Sequence, residues 1–165
     1  MGVVLGFALS IIYTNLKEYR KRRRLIKALK NELLINLDVT FKKEDILNQI
    51  IKCLPSKKIL TGRSVKCCTV IYDTYISELS PYLKSVQRVY LHVIYSRLKN
   101  IDNYMDEFED AIKNDIKEKI MKDVYKVYEI RLGELKISYQ YIRELINEYI
   151  SKKYRDNFKK IKSIS

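Results

Sequence analysis

Along the first part of the chain the apolar positions leave no polar face. Val3, Val4, Leu5, Phe7, Leu9, Ile11, Ile12 and Leu16 fall on every side of a helix, and no charge interrupts residues 2 to 16. A helix apolar all round has to be buried in protein or in lipid. Sixteen residues before Lys17 rise about 24 Å against a hydrocarbon core of about 30 Å, a short span that snorkelling at Lys17 extends. Tyr13 and Tyr19 sit where interfacial aromatics are expected. The pattern therefore predicts a transmembrane anchor over residues 1–16.

After Lys17 the spacing becomes threes and fours. Ile26, Leu29, Leu33 and Leu37 make one stripe, and Ile46, Ile50 and Leu54 continue it after a polar interval. One long helix is expected from the membrane to about Cys53, bent near Asp38 to Lys43 and stopped by Pro55. Residues 55–63 read as a loop with a flexible Gly62, and Ser64 caps a short second helix to about Ser77.

Ser80 and Pro81 are a start signal for a third helix, which runs to about Lys113. Its stripe is Leu83, Val86, Tyr90, Val93, Arg97, Ile101, Tyr104, Phe108 and Ile112. Asn114 and Asp115 form the expected corner, with Asp115 and Glu118 spaced as a capping box. The last helix is expected to reach about Phe158, burying Ile120, Val124, Val127, Leu135, Ile142, Leu145 and Tyr149. Gly133 weakens its middle, either for close helix contact or as a tolerated defect.

The fold class is thus all-α. An N-terminal transmembrane helix continues into a cytoplasmic antiparallel bundle of about four helices, ordered long, short, long, long. The divisions are anchor 1–16, basic juxtamembrane segment 17–30, bundle 31–158 and basic tail 159–165. With four Gly and two Pro in 165 residues there are few turns, and no strand signal competes.

Charge gives this layout a direction. The net charge is +13, of which Lys17 to Lys30 hold +7 and Lys152 to Lys162 hold +5. Lys17, Arg20, Lys21, Arg22, Arg23, Arg24 and Lys27, with Lys152, Lys153 and Arg155, are the expected contacts to anionic headgroups. By the positive-inside rule the first cluster stays in the cytosol and the N-terminus faces out, a single pass of the cell membrane. If the four helices alternate in direction, the last returns its basic end to the same surface.

A secretion signal fits less well, because no basic region precedes the apolar run and no small-x-small cleavage site follows it. Gly2, Gly6, Ser10 and Thr14 recur every four residues, a small-residue face through which two anchors could pair as a homodimer.

Chemistry is sparse. Cys53, Cys67 and Cys68 are odd in number and lack C-x-x-C spacing, so they read as small apolar residues in a reducing compartment. The carboxylates of Asp106 to Asp110 read as a solvated face. His92 is the single histidine, one turn from Arg88. The pair resembles the arginine–histidine signature of the helical HEPN ribonucleases, but three residues intervene where that signature has a longer interval. No phosphate-cradling Gly-rich loop occurs.

The sequence therefore points to a non-enzymatic, membrane-anchored interaction or scaffold protein. No cofactor and no metal are expected, and the protein partner is unidentified. The rivals are a nucleic-acid-binding protein using the two basic ends and a HEPN-like ribonuclease using Arg88 and His92.

Overall fold

The computed structural model describes residues 2–53, 65–118 and 124–152, with side chains over 9–53, 65–114 and 127–152. Expectations that fall on the 55–63 loop, Ser64, Ile120, Val124, Lys153, Arg155, Phe158 and the 159–165 tail lie outside the described residues or side chains. So do the side chains of Gly2, Val3, Val4, Leu5, Gly6 and Phe7.

The described chain is all helical and contains no strand. Four α-helices appear in the expected order of lengths: α1 (Gly2–Cys53), α2 (Val70–Leu79), α3 (Ser85–Glu118) and α4 (Val124–Ile150), with a 3-10 turn at Ser80–Tyr82. The transmembrane part of the expectation is not shown. No helix among the described residues is long and apolar enough to cross a membrane. The physical reason is length: the uncharged run ends at Leu16, and fifteen residues rise only about 22 Å.

α1 spans 52 residues and rises about 78 Å. α3 and α4 have 34 and 27 residues, about 51 and 40 Å. The first helix is therefore longer than anything available to cover it. It runs unbroken through Asp38 to Lys43, because that interval is not a solvent-facing break: Val39, Thr40 and Lys43 are buried.

Directions follow from contacts at known heights. α2 returns against α1, since Glu32 binds the amides of Ile71 and Tyr72 while Lys21 pairs with Glu78. α3 descends beside α1, with Tyr95 meeting Glu32 and Asp102 meeting Lys43. α4 climbs back, its Tyr128 edge-on to Phe108 at 5.2 Å and its Glu148 bonded to Tyr90. The four helices alternate, so the end of α4 lies level with the basic start of the bundle.

Several boundaries differ from expectation. Residues 65–69 are not helical, and α2 begins at Val70, later than expected. Its N-cap, Thr69, makes no side-chain capping bond; Glu32 of α1 accepts the Ile71 and Tyr72 amides at 2.6 and 3.1 Å instead. Ser80 and Pro81 start the 3-10 turn rather than α3. Leu83 is extended, and α3 opens with the Gln87 side chain accepting the Lys84 amide at 2.9 Å, half of a capping box. Finally, Asn114 and Asp115 make no corner, since α3 continues to Glu118. Without Gly or Pro nothing stops the helix there.

The core is lined by Leu29, Leu33 and Leu47 of α1, Leu79 of α2, Tyr90 to Met105 and Phe108 of α3, and Leu132 to Ile146 of α4. Leu83, Tyr90, Ile101, Phe108, Ile112, Leu135, Ile142 and Leu145 are buried as the spacing predicts. Ile26, Tyr104 and Val127 are exposed instead. α4 buries Tyr128, Leu132, Tyr139 and Ile146, so its inner face is rotated from the expected one.

α4 ends sooner than expected. Lys152 takes φ 63°, a left-handed C-terminal stop, and its amide binds the Tyr149 carbonyl at 3.2 Å.

Candidate functional site

Two places concentrate polar or unsatisfied chemistry: the projecting start of α1 and a polar seam inside the bundle.

In the projecting arm Leu9, Ile11, Ile12, Tyr13 and Leu16 are exposed, between 46 and 70 %. Ser10 and Thr14 are exposed too, and the Thr14 hydroxyl donates to the Ser10 carbonyl at 2.9 Å. Such a bond returns a polar group to its own helix, leaving little for water to solvate. Single exposed apolar residues are ordinary, but a contiguous group marks an interaction surface.

The basic collar follows directly. Lys17, Arg20, Lys21, Arg23, Arg24 and Lys27 are exposed and Arg22 is half-buried, and Lys21 and Arg22 also contact the bundle. Lys21 pairs with Glu78 at 2.7 Å, and that carboxylate's hydrogen bond and charge raise the ammonium above its ordinary range. Arg22 lies over the rings of Tyr82 and Tyr19, 4.7 and 5.3 Å from their centroids. These contacts join the collar to the end of α2 and to the 3-10 turn. Lys152 stands at the same end, one turn beyond Glu148.

The polar seam is the feature that sequence reading missed. Glu32, Asn36, Thr40 and Lys43 are buried on α1, at steps of three and four residues. Glu32 and Asn36 hold the non-helical segment before α2, Lys43 reaches Asp102, and the Thr40 hydroxyl donates to the Leu37 carbonyl of its own helix. The Asn36 amide pairs with both backbone groups of Cys68 at 2.7 Å each. Asp102 accepts the Cys67 amide at 2.8 Å and pairs with Lys43 at 2.7 Å. Glu32 takes two amides of α2, the Tyr95 phenol at 2.8 Å and the Cys68 thiol at 3.5 Å. Tyr72 stacks on Tyr95 at 4.0 Å. The only signal in the sequence was polar residues at core spacing on a helix, and the backbone they bind is distant in sequence.

This seam looks like an active centre in composition but not in arrangement. Its donors and acceptors are spent on main chain and on one another. Burial first, then the charge of Asp102, pushes the Cys67 thiol up to about 12, so it stays protonated and weakly nucleophilic at neutral pH. Burial, then the nearby Cys67 and Asp102, likewise raises the Tyr139 phenol, whose hydroxyl has no hydrogen-bond partner among the described residues.

His92 and Arg88 are both exposed, and Arg88 reaches the Ser80 hydroxyl at 3.4 Å. Among the described residues Cys53, Cys67 and Cys68 form no disulfide, and they are half-buried rather than fully buried. In the acidic run, Asp106 pairs with Lys66 at 2.9 Å. Among the described residues no group of three or more His, Cys, Asp or Glu is placed to hold a metal ion.

The fold and these surfaces define a class: an all-helical bundle with a projecting apolar arm and a basic collar. No family model, no curated protein and no solved structure matches the chain.

Proposed function

We propose that the protein is a non-enzymatic interaction or scaffold protein held at the cytoplasmic face of a membrane by its N-terminal arm. The observation that carries this reading is the exposed row Leu9, Ile11, Ile12, Tyr13 and Leu16 immediately before Lys17 and Arg20. An apolar segment of this kind gains about 25 cal/mol for each Å² removed from water. The collar behind it meets the headgroups and keeps the bundle on the cytosolic side. In its fuller form the arm crosses once with the N-terminus outside, helped by snorkelling at Lys17 and local thinning of the bilayer. The bundle then presents its helical faces to a protein partner or to a second copy.

The test is flotation of the full chain with neutral phosphatidylcholine vesicles, beside a chain that begins at Lys17 and a Leu9→Asp/Ile12→Asp/Leu16→Asp variant. The full chain is expected to float and the other two to stay behind. A full chain that remains in the aqueous fraction as a monodisperse species overturns the reading.

A further inference from the structure

The turn that separates α2 from α3 lies at the collar end, and it carries its own charge. Lys84 and Arg88 flank the start of α3, both exposed. Arg88 reaches back to Ser80 in the turn, and Tyr82 of the same turn is 53 % exposed beneath the Arg22 guanidinium. Lys152 reaches this level from α4, because Glu148, one turn earlier, bonds Tyr90 of α3. Three elements distant in sequence therefore bring cations to one end of the bundle. Of the acidic groups near this level, Glu78 is ion-paired with Lys21 and Glu148 accepts from Tyr90, while Glu18 is exposed on the collar itself.

We propose that this end is an electrostatic docking plate for an anionic lipid surface, formed by Lys84, Arg88 and Lys152 around Tyr82. It rests on the reading that the arm enters a bilayer, and it adds the bundle face that meets the lipid and the orientation. The fit is one of charge and geometry. A bilayer entered by the arm meets the collar, and the plate is fixed to the collar by the Lys21–Glu78 pair and the Arg22–Tyr82 stack. Cations held near an anionic leaflet each strengthen attraction, and an exposed tyrosine suits the headgroup layer. The bundle then stands end-on to the membrane, rather than hanging from a flexible tether.

The test compares binding of the full chain to phosphatidylcholine vesicles with and without a minority of phosphatidylserine. The parent is expected to bind the anionic vesicles more tightly. Lys84→Gln/Arg88→Gln/Lys152→Gln should lose about fivefold per residue on anionic vesicles, about a hundredfold in all, and nothing on neutral ones. A control removing three cations from elsewhere, Lys42→Gln/Lys66→Gln/Lys113→Gln, should bind like the parent. The plate is overturned if the triple variant matches the parent on anionic vesicles, if the control loses as much, or if duplex DNA competes the anionic vesicles away. Failure of the arm shows separately, as no binding of the parent to neutral vesicles; binding to anionic vesicles that still depends on the three cations would then leave the plate standing.

Discussion

The carboxylate of Glu32 accepts the phenol of Tyr95 at 2.8 Å across 63 residues of chain, in the centre of the bundle. The same side chain takes the amides of Ile71 and Tyr72. One carboxylate thus joins three helices and caps one of them. Replacing it by alanine leaves buried donors without acceptors, at about 1–3 kcal/mol for each group. Glu32→Ala should lower unfolding free energy by about 3–5 kcal/mol in urea titration. A loss within about 0.5 kcal/mol, the range of an ordinary surface change, would show that water replaces these bonds.

Lys43 and Asp102 form a buried ion pair. Removing only the lysine strands a buried carboxylate and should cost about 3–5 kcal/mol for Lys43→Met. Adding Asp102→Asn removes that stranded charge and keeps an acceptor for the Cys67 amide. The double variant should therefore recover at least about 1 kcal/mol over Lys43→Met alone. Additive losses in chemical denaturation would deny the coupling.

Alkali should destabilise the protein. Cys67, raised by burial and Asp102 from 9.0 to about 12, keeps its proton in the folded state. Burial, with Glu148 and Glu32 as hydrogen-bond acceptors, also raises the phenols of Tyr90 and Tyr95, and burial raises that of Tyr139. The unfolded chain loses these protons first, so unfolding is favoured as pH climbs. Their stabilisation is complete below 9.0, the ordinary thiol value, and falls as pH rises through 10.0 and towards 12. Each group contributes a slope of at most about 1.4 kcal/mol per pH unit. Urea unfolding at pH 8, about 9.5 and about 10.5 reads the decline; a flat profile would refute it.

Gly133 lies inside α4, and a Cβ built there meets nothing within 4 Å. Close helix contact is therefore not the reason for this glycine, and the tolerated defect is. Gly133→Ala should stabilise the protein by about 0.5–1 kcal/mol, seen as a raised Tm. An unchanged or lower Tm would point to a contact absent from the isolated chain.

Much of the architecture was legible because its signals are local. Pro55, the scarcity of glycine and the threes-and-fours spacing predicted four helices in the right order of length. Boundaries failed where a partner distant in sequence acts. Glu32, not a neighbouring serine, caps α2, and Ser80–Pro81 serve a turn whose following Leu83 is buried in the core. Of the candidate interface, the apolar arm and the basic run were readable directly. That Lys21 and Arg22 meet Glu78 and Tyr82 was not, because neither partner is near in sequence.

The amino-acid order by itself determined helical content and the abrupt change from uncharged to basic at Lys17, since propensity, periodicity and charge are properties of short stretches. Tertiary structure alone decided the rest. It placed Glu32, Asn36 and Lys43 in a buried seam, and it carried Lys84, Arg88 and Lys152 to the collar end. The reason is that burying a polar group is tolerable only beside a complementary one, and which groups become neighbours is settled by how the helices alternate and pack.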